Sequence, residues 1–278
     1  MGLTDAERYR FEADGFLLVP GALSRDDVSG VRTELEGVVW GATGYGYEHQ
    51  APDLLLRGGA LRSVTNPLSM APVVLDVALH PGFFPRIRDA FAGSVRLLSN
   101  EYFITPPGAN PRLGWHRDAT EENFPAIALG SSLLFVNCLV LLSDVGPENG
   151  PTLAVPGSHR WGPERSLPGG WLGNPKPDGL PGNVPLCGEA GTAVFFNARL
   201  FHSQSQNRSA QERHALVFVY GYRWMRAFPG FEPTPDQARS LGGTAIRDQL
   251  LGFGPAFDEP VADYEPPPRW RARSGAAA

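Results

Sequence analysis

The sequence predicts a mainly β fold with flanking helices, and two observations carry that expectation. Its 33 glycines and 27 prolines make up 60 of 278 residues, about 22% against roughly 12% in average usage, and residues of these two types punctuate short, turn-linked segments. The apolar period also changes near residue 95, from helical spacing before it to alternation after it.

Before residue 95 the elements read in order as follows. Thr4 and Glu7 have capping-box spacing ahead of a charged helix that runs through Glu12. Residues 15–20 form a short apolar strand. Ser24 is the N-cap of a second helix, in which Val28, Val31, Leu35 and Val38 recur at helical spacing and Asp26 and Asp27 sit at the positive end. Residues 40–66 read as a loop carrying Tyr45, Tyr47, His49 and Arg62. A third helix covers about 72–91 and is interrupted at Pro81-Gly82.

After residue 95 the pattern predicts strands at 95–104, 132–142, 152–155, 191–197 and 213–223, with turns at 105–108 and 147–150. Residues 160–187, rich in proline and bearing Trp161 and Trp171, read as an insertion loop, and 266–278 as a frayed tail. Nothing repeats and no composition break appears. The expectation is one domain over 1–278, with N-terminal helices at about 4–91, a β core at about 95–225 and a C-terminal extension at about 226–278.

The charge balance, 24 basic against 29 acidic residues, gives a net charge of −5, and no basic stripe invites nucleic acid. Cys138 and Cys187 lack metal or disulfide-framework spacing, which suits a reducing compartment. The sequence has no apolar run of signal-peptide or membrane-spanning type. These features predict a soluble, cytoplasmic protein.

The chemistry begins at Trp115-His116-Arg117-Asp118. On an extended segment His116 and Asp118 share one face. His202 follows an apolar strand 86 residues after His116. Two histidines and one carboxylate occupy one face of an octahedral metal and leave the rest open, as in non-haem Fe(II) oxygenases. Arg213 begins an alternating strand in which Arg213, Ala215, Val217 and Val219 face one way and His214, Leu216, Phe218 and Tyr220 the other. An inward arginine calls for an anion, and its fork suits a carboxylate. A dicarboxylate able to chelate iron and reach that arginine is 2-oxoglutarate.

Flanking text then carries a family resemblance. It runs through Asp14-Gly15-Phe16, Leu79-His80-Pro81, Pro106-Pro107-Gly108, Trp115-His116-Arg117-Asp118, Leu142-Ser143-Asp144-Val145 and Glu148-Asn149-Gly150-Pro151. It continues through Val155-Pro156-Gly157-Ser158-His159-Arg160-Trp161-Gly162 to the His202 and Arg213 segments. In this order the chain resembles the phytanoyl-CoA dioxygenase family of Fe(II)/2-oxoglutarate oxygenases. The resemblance implies a double-stranded β-helix (jelly-roll) core. It also implies His116, Asp118 and His202 as catalytic iron ligands, Arg213 as the holder of the distal carboxylate of 2-oxoglutarate, and O₂ as second co-substrate.

Two positions depart from the family pattern. Gln204, with Ser205 next, stands where a hydroxyl residue is common, and Thr105 stands where a lysine often precedes the Pro-Pro-Gly turn. Thr152 resembles a threonine that fungal natural-product members use near 2-oxoglutarate. Gln204, Ser205, Thr152 and Asn100 are therefore the further co-substrate candidates, Asn100 having an alternative reading as a partner for backbone groups.

Tyr45, Tyr47, Arg62, Asn66, Phe103, Trp161 and Trp224 are the substrate candidates, the tryptophans having an alternative role in packing. Such aromatics suit a small, largely apolar molecule such as a secondary-metabolite intermediate. The competing readings are a fatty acyl-CoA hydroxylase of the same family and a non-oxidative isomerase or hydrolase on the same barrel. His80, His159 and His214 read as structural.

Overall fold

The computed structural model describes residues 1–39, 62–109, 114–120, 133–162, 180–254 and 259–271. The sequence readings that fall on Tyr45, Tyr47, His49 and Trp171 lie outside these residues. Helix α1 (Asp5–Asp14) opens with the expected capping box, in which Thr4 and Glu7 bond each other's backbone amides. Gly15, at φ +83°, closes it and leads into strand β1 (Phe16–Val19). Helix α2 (Arg25–Val39) is capped by Ser24, whose Oγ accepts the Asp27 amide while the Asp27 carboxylate accepts the Ser24 amide. It buries Val28, Val31 and Leu35, each contributing about 1.5–3 kcal/mol on full burial.

Strand β2 (Arg62–Thr65) falls inside a segment read as loop. Helices α3 (Val73–Ala78) and α4 (Phe84–Ala90) are the two halves of the interrupted third helix. The break at Gly82 has a packing reason: a Cβ there would lie 1.8 Å from the Ala22 carbonyl oxygen. The strands that follow are β3 (Val95–Thr105), β4 (Phe135–Leu141), β5 (Thr152–Ala154), β6 (Val184–Leu186), β7 (Ala193–Asn197), β8 (His202–Gln204) and β9 (Arg213–Tyr222). β6 lies within the predicted insertion loop and β8 was not expected. Both are three residues long, too short to show alternation.

All described pairings are antiparallel. A six-stranded sheet runs in the order β1-β7-β4-β9-β3-β2, and a three-stranded sheet in the order β6-β5-β8. The order mixes early and late strands, so the topology is a jelly roll rather than a meander. Between the sheets pack Leu139, Leu141, Ala154, Leu186, Val194 and Phe196. The larger core lies on the other face of the big sheet, where Tyr102, Phe218 and Tyr220 meet the helices.

The C-terminal extension adds α5 (Pro235–Leu241), α6 (Ala245–Leu251) and α7 (Pro268–Arg271). α7 corrects the expectation of a frayed tail over residues 266–271, and the remainder of that tail lies outside the described residues. Trp270 is 3% exposed, donates to the Asp76 carbonyl at 2.8 Å and meets the His80 ring edge-on at 4.6 Å. Burial of that one aromatic holds the segment down. No described helix is long and apolar enough to cross a membrane.

Candidate active site and metal centre

His116, Asp118 and His202 offer ligand atoms that all lie within 4.8 Å of one another. The backbone brings them together. An isolated antiparallel bridge pairs His116 with His202 through two 3.0 Å hydrogen bonds, and the Asp118 amide donates to Ala198 at 3.0 Å. β8 is fixed in turn by β5, with Ala154 opposite His202 and Thr152 opposite Gln204. Arg117, between the two ligands, turns the other way: its guanidinium stacks 4.1 Å from the Phe201 ring and donates to the Ser158 and Trp161 carbonyls.

Both imidazoles are held by the same kind of hydrogen bond. The Nδ1 of His116 lies 2.8 Å from the Gly114 carbonyl, and that of His202 lies 3.0 Å from the Leu200 carbonyl. A carbonyl accepts only, so Nδ1 carries the proton in each ring and Nε2 keeps its lone pair, the tautomer a metal needs. The two Nε2 atoms lie 3.4 and 3.7 Å from the Asp118 carboxylate. Asn137, on β4, donates to Asp118 Oδ2 at 2.6 Å and leaves the other oxygen free of it. Burial opposes ionisation of Asp118, but its interactions with the two histidine rings and the hydrogen bond from Asn137 outweigh it and lower its pKa. Burial lowers the pKa of His202, whereas for His116 burial is outweighed by the hydrogen bond and charge of Asp118, which raise its pKa. A neutral His202 beside an ionised Asp118 is a metal-ready set, and its two nitrogens and one carboxylate fit Fe(II).

The triad lies in a cavity of about 630 Å³ between the sheets, whose described lining includes Glu101, Phe103, Thr152, Gln204 and Arg213. Arg213, Val217 and Val219 line it, as the alternation predicts, while His214 faces outward and meets the Tyr102 hydroxyl at 2.6 Å. Arg213 is 5% exposed and donates to the Gly150 carbonyl at 2.6 Å, and its buried Nε has no partner. Gly150 offers that carbonyl from a tight turn at φ +76°. Among the described residues no carboxylate pairs with Arg213, and burial lowers its pKa to about 10. A buried guanidinium with an orphaned N–H fits an incoming carboxylate, which is what 2-oxoglutarate would bring.

The other candidates divide. Thr152 and Gln204 line the cavity, and Gln204 Nε2 donates to Thr105 Oγ1 at 3.0 Å, so the two departures from the family pattern meet each other. Ser205 does not reach the cavity, because its hydroxyl donates to the Pro151 carbonyl at 2.9 Å. Asn100 faces the opposite side of β3, where Oδ1 accepts the Leu68 amide and Nδ2 donates to Asn66 Oδ1, so its backbone-satisfying reading holds.

Of the substrate candidates, Phe103 lines the cavity. Asn66 is tied to the Gly230 carbonyl. Trp161 packs on Phe201 beneath the 158–160 turn, and Trp224 is 60% exposed and stacked on Tyr222. Neither tryptophan is among the lining residues. The side chain of Arg62 lies outside the described set. Sequence reasoning missed Asn137, hidden in an all-apolar strand, and Glu101, one position from the residue chosen.

Comparison with known proteins agrees with this geometry. The chain is 27% identical over 236 residues to an ectoine dioxygenase of Stutzerimonas stutzeri, covering 77% of this chain and 75% of that one. It is 28% identical over 242 residues to an L-proline trans-4-hydroxylase of Streptomyces griseoviridis, covering 78% and 86%. The fold matches HygX from Streptomyces hygroscopicus, solved with nickel and 2-oxoglutarate bound. That match has a TM-score of 0.65 and 23% identity and covers 87% of this chain and 95% of that one. Residues 11–215 match the phytanoyl-CoA dioxygenase (PhyH) family, and the chain belongs to it.

Proposed function

We propose that this Fe(II)- and 2-oxoglutarate-dependent dioxygenase hydroxylates, or desaturates, one C–H bond of a small organic molecule with a largely apolar body, such as a secondary-metabolite intermediate. The observation that carries the proposal is one cavity holding both a preset His-Asp-His triad and a buried, unmatched arginine. With iron bound, the site supplies oxidative decarboxylation of 2-oxoglutarate to succinate and CO₂, coupled to oxidation of the substrate.

The chain's own residues do the rest. His116, Asp118 and His202 hold the metal, each in an orientation fixed by a hydrogen bond. Arg213 takes the distal carboxylate of 2-oxoglutarate, with Thr152 and Gln204 beside it. Phe103, Phe135, Phe196 and Phe228 exclude water around the reacting C–H bond and grip an apolar ligand. Ectoine dioxygenase and proline hydroxylase are named for small-molecule substrates, and HygX has been solved with hygromycin B bound. Among the described lining residues Arg213 is the one arginine or lysine, which leaves nothing there for the phosphates of an acyl-CoA. We place the enzyme in the cytoplasm as a single domain, with a small molecule and neither nucleic acid nor membrane as its partner.

The test is aerobic turnover with Fe(II) over a panel of small metabolites. The expected result is substrate-stimulated succinate formation, with a product heavier by one oxygen or lighter by two hydrogens. Succinate formation that no metabolite stimulates, or a product isomerised without loss of 2-oxoglutarate, would overturn the reading.

A further inference from the structure

Glu101 sits in the middle of β3, on the face that lines the cavity. Its cross-strand neighbours are Thr65 on β2 and Val217 on β9, and Leu139 on β4 continues the row. Two of those three neighbours are aliphatic, and the Thr65 hydroxyl is itself buried with no partner. Among the described residues no hydrogen bond and no cation reaches Glu101, and it stands outside the metal-ligand group. Burial, followed by the charge of Asp118, raises its pKa to about 7. A carboxylate in such a place costs free energy unless something arrives to match it.

Charge counting says what that something is. In the loaded site the two positive charges of Fe(II) and the one of Arg213 balance Asp118 and the two carboxylates of 2-oxoglutarate. Glu101 is left over, and the described lining offers no further arginine or lysine. We propose that Glu101 is the substrate-recognition residue and that the substrate carries a cationic nitrogen, a protonated amine or its equivalent, on an otherwise apolar body. The carboxylate anchors that nitrogen, and the aromatic lining holds the carbon frame with one C–H bond toward the triad. This assignment rests on the dioxygenase reading and refines its substrate class: the molecule is amphipathic rather than apolar throughout.

The test uses the enzyme loaded anaerobically with Fe(II) and 2-oxoglutarate at pH 8. Three probes share one carbon body: cyclohexylmethylamine, cyclohexylmethanol and cyclohexanecarboxylate. Affinities are read by calorimetry, with metal and 2-oxoglutarate titrated separately. The expected order is amine first, by about tenfold or more over the alcohol, the scale of a charge-assisted hydrogen bond, with the carboxylate last. In Glu101→Gln, which keeps the shape, the amine's advantage falls to about twofold or less. Any other order, or no binding of any probe, overturns the proposal, as does an amine preference that survives in Glu101→Gln. The wild-type comparison needs no variant to fold. Failure of metal and 2-oxoglutarate to bind would overturn the dioxygenase reading instead, so the two failures are told apart.

Discussion

The two walls of the cavity are built on opposite principles. On the triad wall every ligand is already oriented: the two Nδ1–H groups donate to carbonyls, and Asp118 accepts from Asn137, which reaches across from β4 of the facing sheet. On the facing sheet, the buried Arg213 and the half-buried Glu101 find no opposite charge among the described residues. The difference teaches which ligand the fold itself prepares. A metal needs lone pairs held in place beforehand, so the chain spends backbone carbonyls to fix them. On the reading proposed above, organic ligands bring their own charges, and this wall stays unbalanced until they bind.

The largest effect that would break this contrast is on the triad wall. Asp118→Ala removes the one anionic donor and leaves two imidazoles 4.2 Å apart between ring centroids. Fe(II) affinity should fall by more than about a hundredfold, beyond the cost of losing an orienting partner alone. Metal titration by calorimetry checks it, and near-native affinity would remove Asp118 from the centre. Next comes the facing wall. Arg213→Ala forfeits a buried charge pair worth about 2–5 kcal/mol, so the Kd for 2-oxoglutarate should rise from about thirtyfold upward while iron still binds. An unchanged Kd would show that the unmatched guanidinium serves only Gly150.

A third measurement sets the cavity histidines against one outside it. Burial lowers the pKa of His80 from 6.5 to about 4. Between those values the unfolded chain takes up a proton that the folded chain refuses. Stability is therefore whole above pH 6.5 and declines as pH falls toward 4, by on the order of 3 kcal/mol at the lower end. Denaturant unfolding at pH 7.5 and 4.5 should show the loss, and His80→Gln should show less of it. The smallest effect sharpens the triad wall: Asn137→Ala frees Asp118 to rotate and should cost about tenfold in metal affinity, with 2-oxoglutarate binding to the remaining metal-loaded protein little changed.

Residue type alone does not separate these histidines. His116, His202, His80, His159 and His214 are all described, and each has a polar neighbour. The sequence singled out the first two because Asp118 follows His116 at a strand spacing and because the flanking text resembles a family. The same alternation put Arg213 on the cavity face and His214 behind it. On β3 no face is legible, because the run Val95-Arg96-Leu97-Leu98-Ser99-Asn100-Glu101 mixes polar and apolar residues without a clean period, with a register irregularity between Leu97 and Ser99. Asn100 was chosen where Glu101 faces the cavity, and a slip of one residue exchanges the faces of a strand.

By itself, then, the sequence determined what is local or periodic. Capping side chains set the helix starts, glycines set the turns, and long alternating strands set the faces, because each depends on residues within a few positions of one another. Tertiary structure alone decided what depends on pairing across the chain. Those outcomes include the short strands β6 and β8, the bridge that carries His202 to His116 across 86 positions, the burial of Trp270, and the lack of a partner for Glu101 among the described residues. A three-residue strand has no period to read, and whether a carboxylate has a partner is a property of the strands beside it.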